Sequence, residues 1–355
     1  MKFIIFDFRK YFNLGDFVTI LDLSEKYYRI TGKQPYVIAM NLNKNKAITT
    51  MISDYQFIHF IQMNTILGFL KILFILFKSI FIKYTYCIYL TRNKIKKIIL
   101  IFVYCFTRSQ LIIYNFDENN YRDPFFKESK NTKNIINSKL DFLRSNNLLL
   151  SKILNKEIEI SQNFLYKKNN IIQENDLIEN NYIGLVLSAS SLNKSIKVED
   201  YLYIVKRLWS KYQTTFVFLG LGNKYELMIA NELKFFFDEN KISYKNLLGE
   251  KNFYNTLNIL DNSFLNIGPN TGLILISFYM NKKTVTFSEH TSNFFTFKSQ
   301  NSIFIMNPEN NCSCQKKIIM DADKEIDQSR VGCCMYLLDI KKEMDNIISN
   351  NILNT

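Results

Sequence analysis

The tightest constraint in this chain is a short apolar run, Phe264–Ile267, that ends in Gly-Pro-Asn-Thr-Gly (268–272) and turns at once into a second apolar stretch. Ahead of it lie a polar turn, Gly249–Asn252, and a helix-period stretch, Phe253–Leu260. The order is helix, strand, small-residue loop, helix. Open α/β sheets bind ligands at such a loop, at the carboxyl end of a strand. There the backbone N–H groups and the dipole of the following helix converge on an anion. The segment reads as a phosphate cradle.

The same alternation runs through the rest of the chain. Lys2–Phe8 is an apolar strand of the buried parallel type. Asp16 is placed as the N-cap of a helix over Phe17–Thr31, and a second strand, Tyr36–Met40, follows Gly32-Lys33. The first loop lacks the three spaced glycines of a dinucleotide fingerprint. A strand at Tyr84–Leu90 and a helix with a basic start at Asn93–Phe106 continue the pattern. After a polar stretch the alternation restarts. It gives strand Tyr182–Leu187, helix Val198–Tyr212, strand Thr215–Leu219, helix Lys224–Asn240, strand Thr284–Phe287 and a last helix, Asp339–Ile348. The polar residues around Asn169–Asn180 mark the boundary, dividing the chain into 1–172 and 173–355. Two βαβ domains in tandem indicate a double-Rossmann α/β architecture with a cleft between them.

With 47% hydrophobic residues the chain is not disordered, and a packed core is expected. Its net charge of +13 is unevenly spread. Residues 1–150 hold 22 Lys/Arg against 10 Asp/Glu, whereas residues 151–355 hold 23 against 22. A basic first half calls for an anionic partner. The basic residues are interleaved with long apolar runs and form no nucleic-acid module, so an anionic membrane surface fits better than nucleic acid. The most hydrophobic segment, 65–83, carries Lys71 and Lys78 seven residues apart with Gly68 and Ser79 nearby. It is too often interrupted for a span of ~20 apolar residues. Two readings stay open: an interfacial helix with lysines at the headgroups, or a core helix with snorkelling lysines. No secretory signal is visible, and six cysteines without a disulfide framework suit a reducing cytoplasm.

Four motifs fall in a telling order. They are Asn13-Leu14-Gly15-Asp16 before the first helix; Ser188-Ala189-Ser190-Ser191 with Asn193-Lys194; Gly220-Leu221-Gly222-Asn223 with Glu226; and Asn246-Leu247 through Gly268-Pro269-Asn270-Thr271-Gly272. The set resembles the family-9 glycosyltransferases, the ADP-heptose:lipopolysaccharide heptosyltransferase group of GT-B fold. The resemblance is dense over about 182–320 and thinner over 1–120. It implies two Rossmann-like domains facing across a cleft, with the C-terminal helix packing back. Asp16 becomes the general base that deprotonates the acceptor hydroxyl in an inverting transfer. Lys194 neutralises the donor pyrophosphate, with Ser190 and Ser191 donating to the same phosphates. Gly220 lies in the donor loop, and Glu226 is set at the ribose, with an exposed helix glutamate as the alternative. Asn270, Thr271, Gly272 and the Leu273 N–H form the cradle. Two positions depart from the family: its aspartate before Thr-Gly is Asn270 here, and its histidine three residues after the glycine is Leu275.

No cofactor and no metal are implied; the nucleotide sugar, ADP-heptose among the options, is a substrate. With only two histidines, His59 and His290, a histidine metal site or a Ser-His-Asp triad has little support. His290 lies in a post-strand loop, with cleft contact and plain surface both open, and His59 is read as structural. Cys312, Cys314, Cys333 and Cys334 offer four thiols for zinc, but in an unusual spacing that favours free thiols.

The expected function is sugar transfer from a nucleotide-sugar donor to a lipid-linked glycan of the lipopolysaccharide type. The chain would be cytoplasmic and peripheral on the anionic inner face of a bacterial cytoplasmic membrane. The rivals are a GT-B protein that binds nucleotide sugar or glycan without transfer, motivated by Asn270 and Leu275, and a sugar-nucleotide epimerase.

Overall fold

The computed structural model describes residues 2–7, 14–40, 42, 46–82, 84–89, 110–115, 132–136, 142–154, 156–158, 182–189, 194–250, 252–288, 301–306 and 338–350. They fall into two compact units, one drawn from Met1–Ser161 and the other from Gln162–Thr291 with Thr296–Thr355. The helix expected at Asn93–Phe106 lies outside the described residues, as do Ser190, Ser191, His290 and the four C-terminal cysteines.

The first unit runs β1 (Lys2–Asp7), α1 (Leu14–Thr31), β2 (Tyr36–Ala39), α2 (Lys46–Asp54), β3 (His59–Gln62), α3 (Ile66–Phe81), β4 (Tyr84–Tyr89), β5 (Gln110–Asn115), β6 (Thr132–Ile136) and α4 (Phe142–Leu154). Its strands are parallel and ordered β3-β2-β1-β4-β5-β6. Phe3, Ile4 and Ile5 of β1 are fully buried, as the apolar run requires of a central strand covered on both faces. Helix α1 begins at Leu14, so Asp16 sits inside its first turn and not at the N-cap as expected. Behind the sheet, α1 and α4 enclose a buried polar cluster. Lys26 Nζ pairs with Asp22 Oδ1 at 3.0 Å, and Asn146 Nδ2 donates to Asp22 Oδ2 at 2.9 Å. His59 lies on edge strand β3 with its ring stacked 4.8 Å from that of Tyr36.

The second unit runs β7 (Tyr182–Val186), α5 (Val198–Tyr212), β8 (Thr215–Gly220), α6 (Lys224–Asn240), β9 (Tyr244–Leu248), α7 (Phe253–Asn262), β10 (Leu265–Pro269), α8 (Gly272–Tyr279), β11 (Thr284–Ser288), β12 (Ser302–Met306) and α9 (Ile340–Ser349). Its parallel sheet is ordered β12-β11-β10-β7-β8-β9. Counted from β7, that is the order of the first unit again, the doubly wound order of nucleotide-binding folds. Every residue of β7, β10 and β11 is buried. Helix caps fix the elements between them: Asn223 accepts from Glu226 N at 3.0 Å, Asn252 from Tyr254 N at 3.0 Å, and Asp339 from Lys342 N at 3.0 Å. Helix α9 packs back on α5 through Ile340, Met344 and Ile347. There Arg207 Nε and the Tyr203 hydroxyl each donate to the Asp345 carboxylate at 2.7 Å.

Candidate functional site

In a doubly wound sheet, ligands bind beyond the carboxyl ends of the strands where the strand order reverses. In the second unit that point lies between β7 and β10, which pair directly: Leu265, Asn266 and Ile267 stand opposite Ile183, Gly184 and Leu185. The approach of the two strands is close. A Cβ on Gly268 would meet Val186 O at 2.5 Å, and one on Gly184 would collide with Asn266 Oδ1. Asn266 in turn donates through Nδ2 to Ser277 Oγ at 2.7 Å and to Leu260 O at 3.0 Å, tying β10 to α7 and α8.

The Gly-Pro-Asn-Thr-Gly segment ends β10 and opens α8 with Thr271 at the N-cap. The Thr271 carbonyl accepts the first helical bond, from Leu275 N at 2.9 Å, which leaves the N–H groups of Gly272, Leu273 and Ile274 without helical acceptors. Thr271 Oγ1 is buried and has no hydrogen-bond partner among the described residues. Asn270 is held by both ends of the residue: its N–H donates to Phe287 O at 2.9 Å and its Nδ2 to Ser288 Oγ at 3.2 Å. The unused N–H groups and the dipole at this helix N-terminus suit an anion, and the unused hydroxyl belongs to the same N-cap residue, Thr271. Leu275, at the position of the family's histidine, is buried in α8, whose residues Leu273–Tyr279 are all buried.

The loops after β7 and β8 are fastened to each other by a buried carboxylate. Glu226, in the first turn of α6, is fully buried, so the exposed helix glutamate is overturned. Its Oε1 accepts from Ser188 Oγ at 3.0 Å and from Asn223 Nδ2 at 2.6 Å, and its Oε2 from Gly222 N at 2.8 Å. The Ser188 hydroxyl also accepts from Leu221 N at 3.1 Å. Burial pushes the Glu226 carboxyl above the ordinary glutamate value, and the hydrogen bonds from Gly222, Ser188, Leu221 and Asn223 oppose that push. Gly220 is glycine for want of room: a Cβ there would sit 2.5 Å from Glu226 Oε2 and 2.9 Å from Ser188 Oγ. Gly222 takes φ +75° and packs on Gly249, itself at φ +73°, with 3.0 Å left between a Gly222 Cβ and the Gly249 backbone.

Lys194 follows, half-buried, in the loop between β7 and α5. Ser195 and Ile196 beside it are buried, and Ile196 O accepts from the Tyr225 hydroxyl at 3.0 Å. Burial raises the pKa of that hydroxyl, so it stays a donor. One level down, Tyr201 OH donates to Val186 O at 2.8 Å. The structure thus gathers Lys194, Gly220, Glu226, Asn270, Thr271, Gly272 and Leu273 at the carboxyl ends of β7, β8 and β10. Asp16 occupies the corresponding end of β1 in the other unit. Sequence reasoning quotes Ser188 and Asn223 within their motifs without giving either a role, and passes over Tyr225; only the Asn223 cap has a local signal, a helix start that follows it directly. Among the described residues no group of three or more His, Cys, Asp and Glu is placed to hold a metal.

Comparison with known proteins matches this arrangement. The model of glycosyltransferase family 9 (heptosyltransferase) aligns with residues 126–324. No curated protein matches the sequence. Among solved structures, the chain is similar to a family 9 glycosyl transferase from Veillonella parvula at 10% identity and TM-score 0.61, covering 100% of this chain and 98% of that one. It is similar to E. coli heptosyltransferase WaaC with ADP at 12% identity and TM-score 0.62, covering 99% and 100%. The E. coli ADP-heptose lps heptosyltransferase II aligns at 14% identity and TM-score 0.60, covering 100% and 99%. These identities speak for the fold, two Rossmann-like units of the GT-B class. The family model spans more than half of the chain, and on that match the chain belongs to glycosyltransferase family 9, the heptosyltransferases.

Proposed function

We propose that this glycosyltransferase moves a sugar, heptose or a close relative, from a nucleotide-sugar donor to a lipopolysaccharide core or related glycolipid at the inner face of the cytoplasmic membrane. The observation that carries the donor half is the cradle at the end of β10. The buried, unpartnered Thr271 hydroxyl and the free N–H groups of α8 suit a diphosphate. Neighbours of this fold include E. coli heptosyltransferase WaaC with ADP and the heptosyltransferase TibC in complex with ADP-D-beta-D-heptose, in keeping with a nucleotide-sugar donor. In the reaction, the Asp16 carboxylate takes the proton of the acceptor hydroxyl as its oxygen attacks the anomeric carbon from the face opposite the leaving group. The bond from that carbon to the diphosphate oxygen breaks, the configuration inverts, and the nucleoside diphosphate leaves with the electron pair. Lys194, the Ser190 and Ser191 hydroxyls and the α8 N-terminus offset its growing negative charge without a metal ion. Glu226, fully buried with both oxygens engaged by Ser188, Asn223 and Gly222, acts by holding the loops after β7 and β8 and does not itself reach the ribose expected of it.

A panel of nucleotide sugars incubated with and without a glycolipid acceptor tests this, with nucleoside diphosphate release as the readout. Release should depend on acceptor for one donor, and Asp16→Ala should lower kcat by roughly 10²–10⁴-fold with donor binding retained. If no donor gives acceptor-dependent release while nucleotide still binds, the second reading holds: binding without transfer. That reading rests on Asn270, an amide committed to Ser288 where the family places a charge, and on the apolar Leu275.

A further inference from the structure

Helix α3 is apolar on both sides. Its core stripe is Gly68, Ile72, Ile75, Leu76 and Ser79, one face at helical spacing, and it seats the helix on the sheet. Gly68 allows the seat: a Cβ there would collide with the Gln62 carbonyl of β3. Thr65 locks the start, accepting from Gly68 N at 3.0 Å and donating to Gln62 O at 3.0 Å. On a surface helix the opposite face is normally polar. Here it is Leu70, Leu73, Phe74, Phe77 and Phe81, flanked by Ile66 and Phe69. All are exposed, Phe74 by 57%, Phe77 by 60% and Phe81 by 75%. A contiguous apolar patch of this kind marks an interaction surface.

Charge names the partner. At about 100° per residue, Lys71 and Lys78 fall together on one flank of the helix, between the buried and exposed apolar faces, and Lys78 Nζ lies 4.3 Å from the ring centre of Phe74. From Tyr55 to Phe116 the chain carries eight Lys/Arg and no Asp/Glu. A second copy of the chain docked on this face would set lysines near lysines with no carboxylate from the segment to pair them. A surface that is apolar below and anionic above meets both needs, and an anionic lipid leaflet is such a surface. With sixteen residues, α3 is about 24 Å long against a hydrocarbon core of ~30 Å, and no helix among the described residues is long and apolar enough to cross a membrane.

We infer that α3 lies flat in the headgroup region of an anionic bilayer, with Phe74, Phe77 and Phe81 in the acyl boundary and Lys71 and Lys78 at the phosphates. The docking rests on the functional proposal only for its purpose, which is to bring the first unit to a membrane-bound acceptor.

The test is co-sedimentation of the full chain with phosphatidylglycerol-containing vesicles and with pure phosphatidylcholine vesicles. Wild type should pellet with the first and much less with the second. Phe74→Ser with Phe77→Ser should weaken binding at least ten-fold, with hydrogen-exchange protection of α1 and α4 in the same unit unchanged as proof of folding. Lys71→Gln with Lys78→Gln should weaken it roughly five-fold per lysine on anionic vesicles and leave the phosphatidylcholine arm alone. Wild type that pellets with neither vesicle, or variants that pellet like wild type, would overturn the docking. So would a wild-type dimer that the Phe variants turn into monomer without any vesicle binding, since the occupant would then be a second copy. Transfer to a detergent-dispersed acceptor separates the two proposals. Transfer without vesicle binding sinks the docking and spares the function; vesicle binding without transfer does the reverse.

Discussion

The two units share one strand order and differ in where they keep their buried polar groups. In the second, Glu226 lies at the carboxyl ends of the strands, where it joins Ser188 after β7 to Gly222 and Asn223 after β8. In the first, the Asp22–Lys26 pair and Asn146 lie between α1 and α4. The first unit's conspicuous surface is instead apolar, the outer side of α3. The topology gives each unit a switch point; the polar interior decides whether the loops at that point are held. A buried network beside a ligand loop ties stability to binding, while one between two helices serves stability alone.

That distinction is broken most forcefully by removing one partner from each network. Asp22→Ala strands Lys26 in a buried site and should cost ~3–5 kcal/mol, read as lost hydrogen-exchange protection in α1 and α4, with nucleotide affinity unchanged. Glu226→Ala leaves the donors of Ser188, Gly222 and Asn223 without their acceptor and should cost about 2–4 kcal/mol. The loss is visible in the unfolding midpoint of Trp209 fluorescence, because the single tryptophan lies on α5 of this unit. Nucleotide affinity should fall with it. Equal effects of the two variants on nucleotide binding would erase the contrast.

A smaller effect separates backbone from packing at positive φ. Gly32, in the first unit, takes φ +66°, and a Cβ placed there would have nothing within 4 Å, so Gly32→Ala should cost only the left-handed conformation, about 1 kcal/mol. Gly222 carries the same conformational cost and also presses on the Gly249 backbone at 3.0 Å, so Gly222→Ala should cost roughly 1 kcal/mol more. If thermal unfolding shows no difference between the variants, the loops after β8 and β9 are not packed as tightly as the geometry states.

How legible these features are in sequence follows burial. Helices α5 and α6 have the bounds that periodicity gives, Val198–Tyr212 and Lys224–Asn240, because each carries a clear apolar stripe and a turn at either end. The central strands β1, β7 and β10 are largely apolar runs for the same reason they are central, and β11 is legible from its β-branched and aromatic residues Thr284–Phe287. Three of the four sheet edges, β3, β6 and β9, escape the pattern: His59–Gln62, Thr132–Ile136 and Tyr244–Leu248 mix polar with apolar residues, as edge strands commonly do. β12 and β5 escape it too, as apolar runs too short for periodicity to tell strand from helix. The cradle is legible because a glycine-bounded loop between strand and helix is local. The Ser188–Glu226 bond joins residues 38 apart and has no local trace. Asp16 is misplaced as an N-cap because the helix starts on Leu14 and Gly15, neither of which announces a first turn.

The smallest effect, and the finest test of the comparison, is in pH. Among the described residues each unit holds one glutamate whose carboxyl burial pushes above the ordinary value: Glu226, eased by the hydrogen bonds it accepts from the loops after β7 and β8, and Glu25, eased by Arg29 and pushed further by Asp22. In the window between the ordinary value and each raised value the folded state holds more protons than the unfolded chain. Stability therefore falls as pH rises through that window and is unaffected by these groups below it. A glutamine does not titrate, so either Glu→Gln variant should gain on wild type as pH climbs. The offsets should differ. Glu226→Gln turns an amide donor toward groups that already donate, and should stay about 1–2 kcal/mol less stable even at neutral pH. Glu25 engages Arg29 at 2.8 Å through Oε1, and its buried Oε2 has no partner among the described residues. Glu25→Gln keeps an oxygen for Arg29 and should lie within about 1 kcal/mol of wild type. Urea midpoints across the acid range, read by Trp209 fluorescence for Glu226 and by α1 hydrogen exchange for Glu25, measure both slopes. A Glu226→Gln chain as stable as wild type would mean that the carboxylate does not hold the loops, and the difference between the two units would reduce to the apolar face of α3.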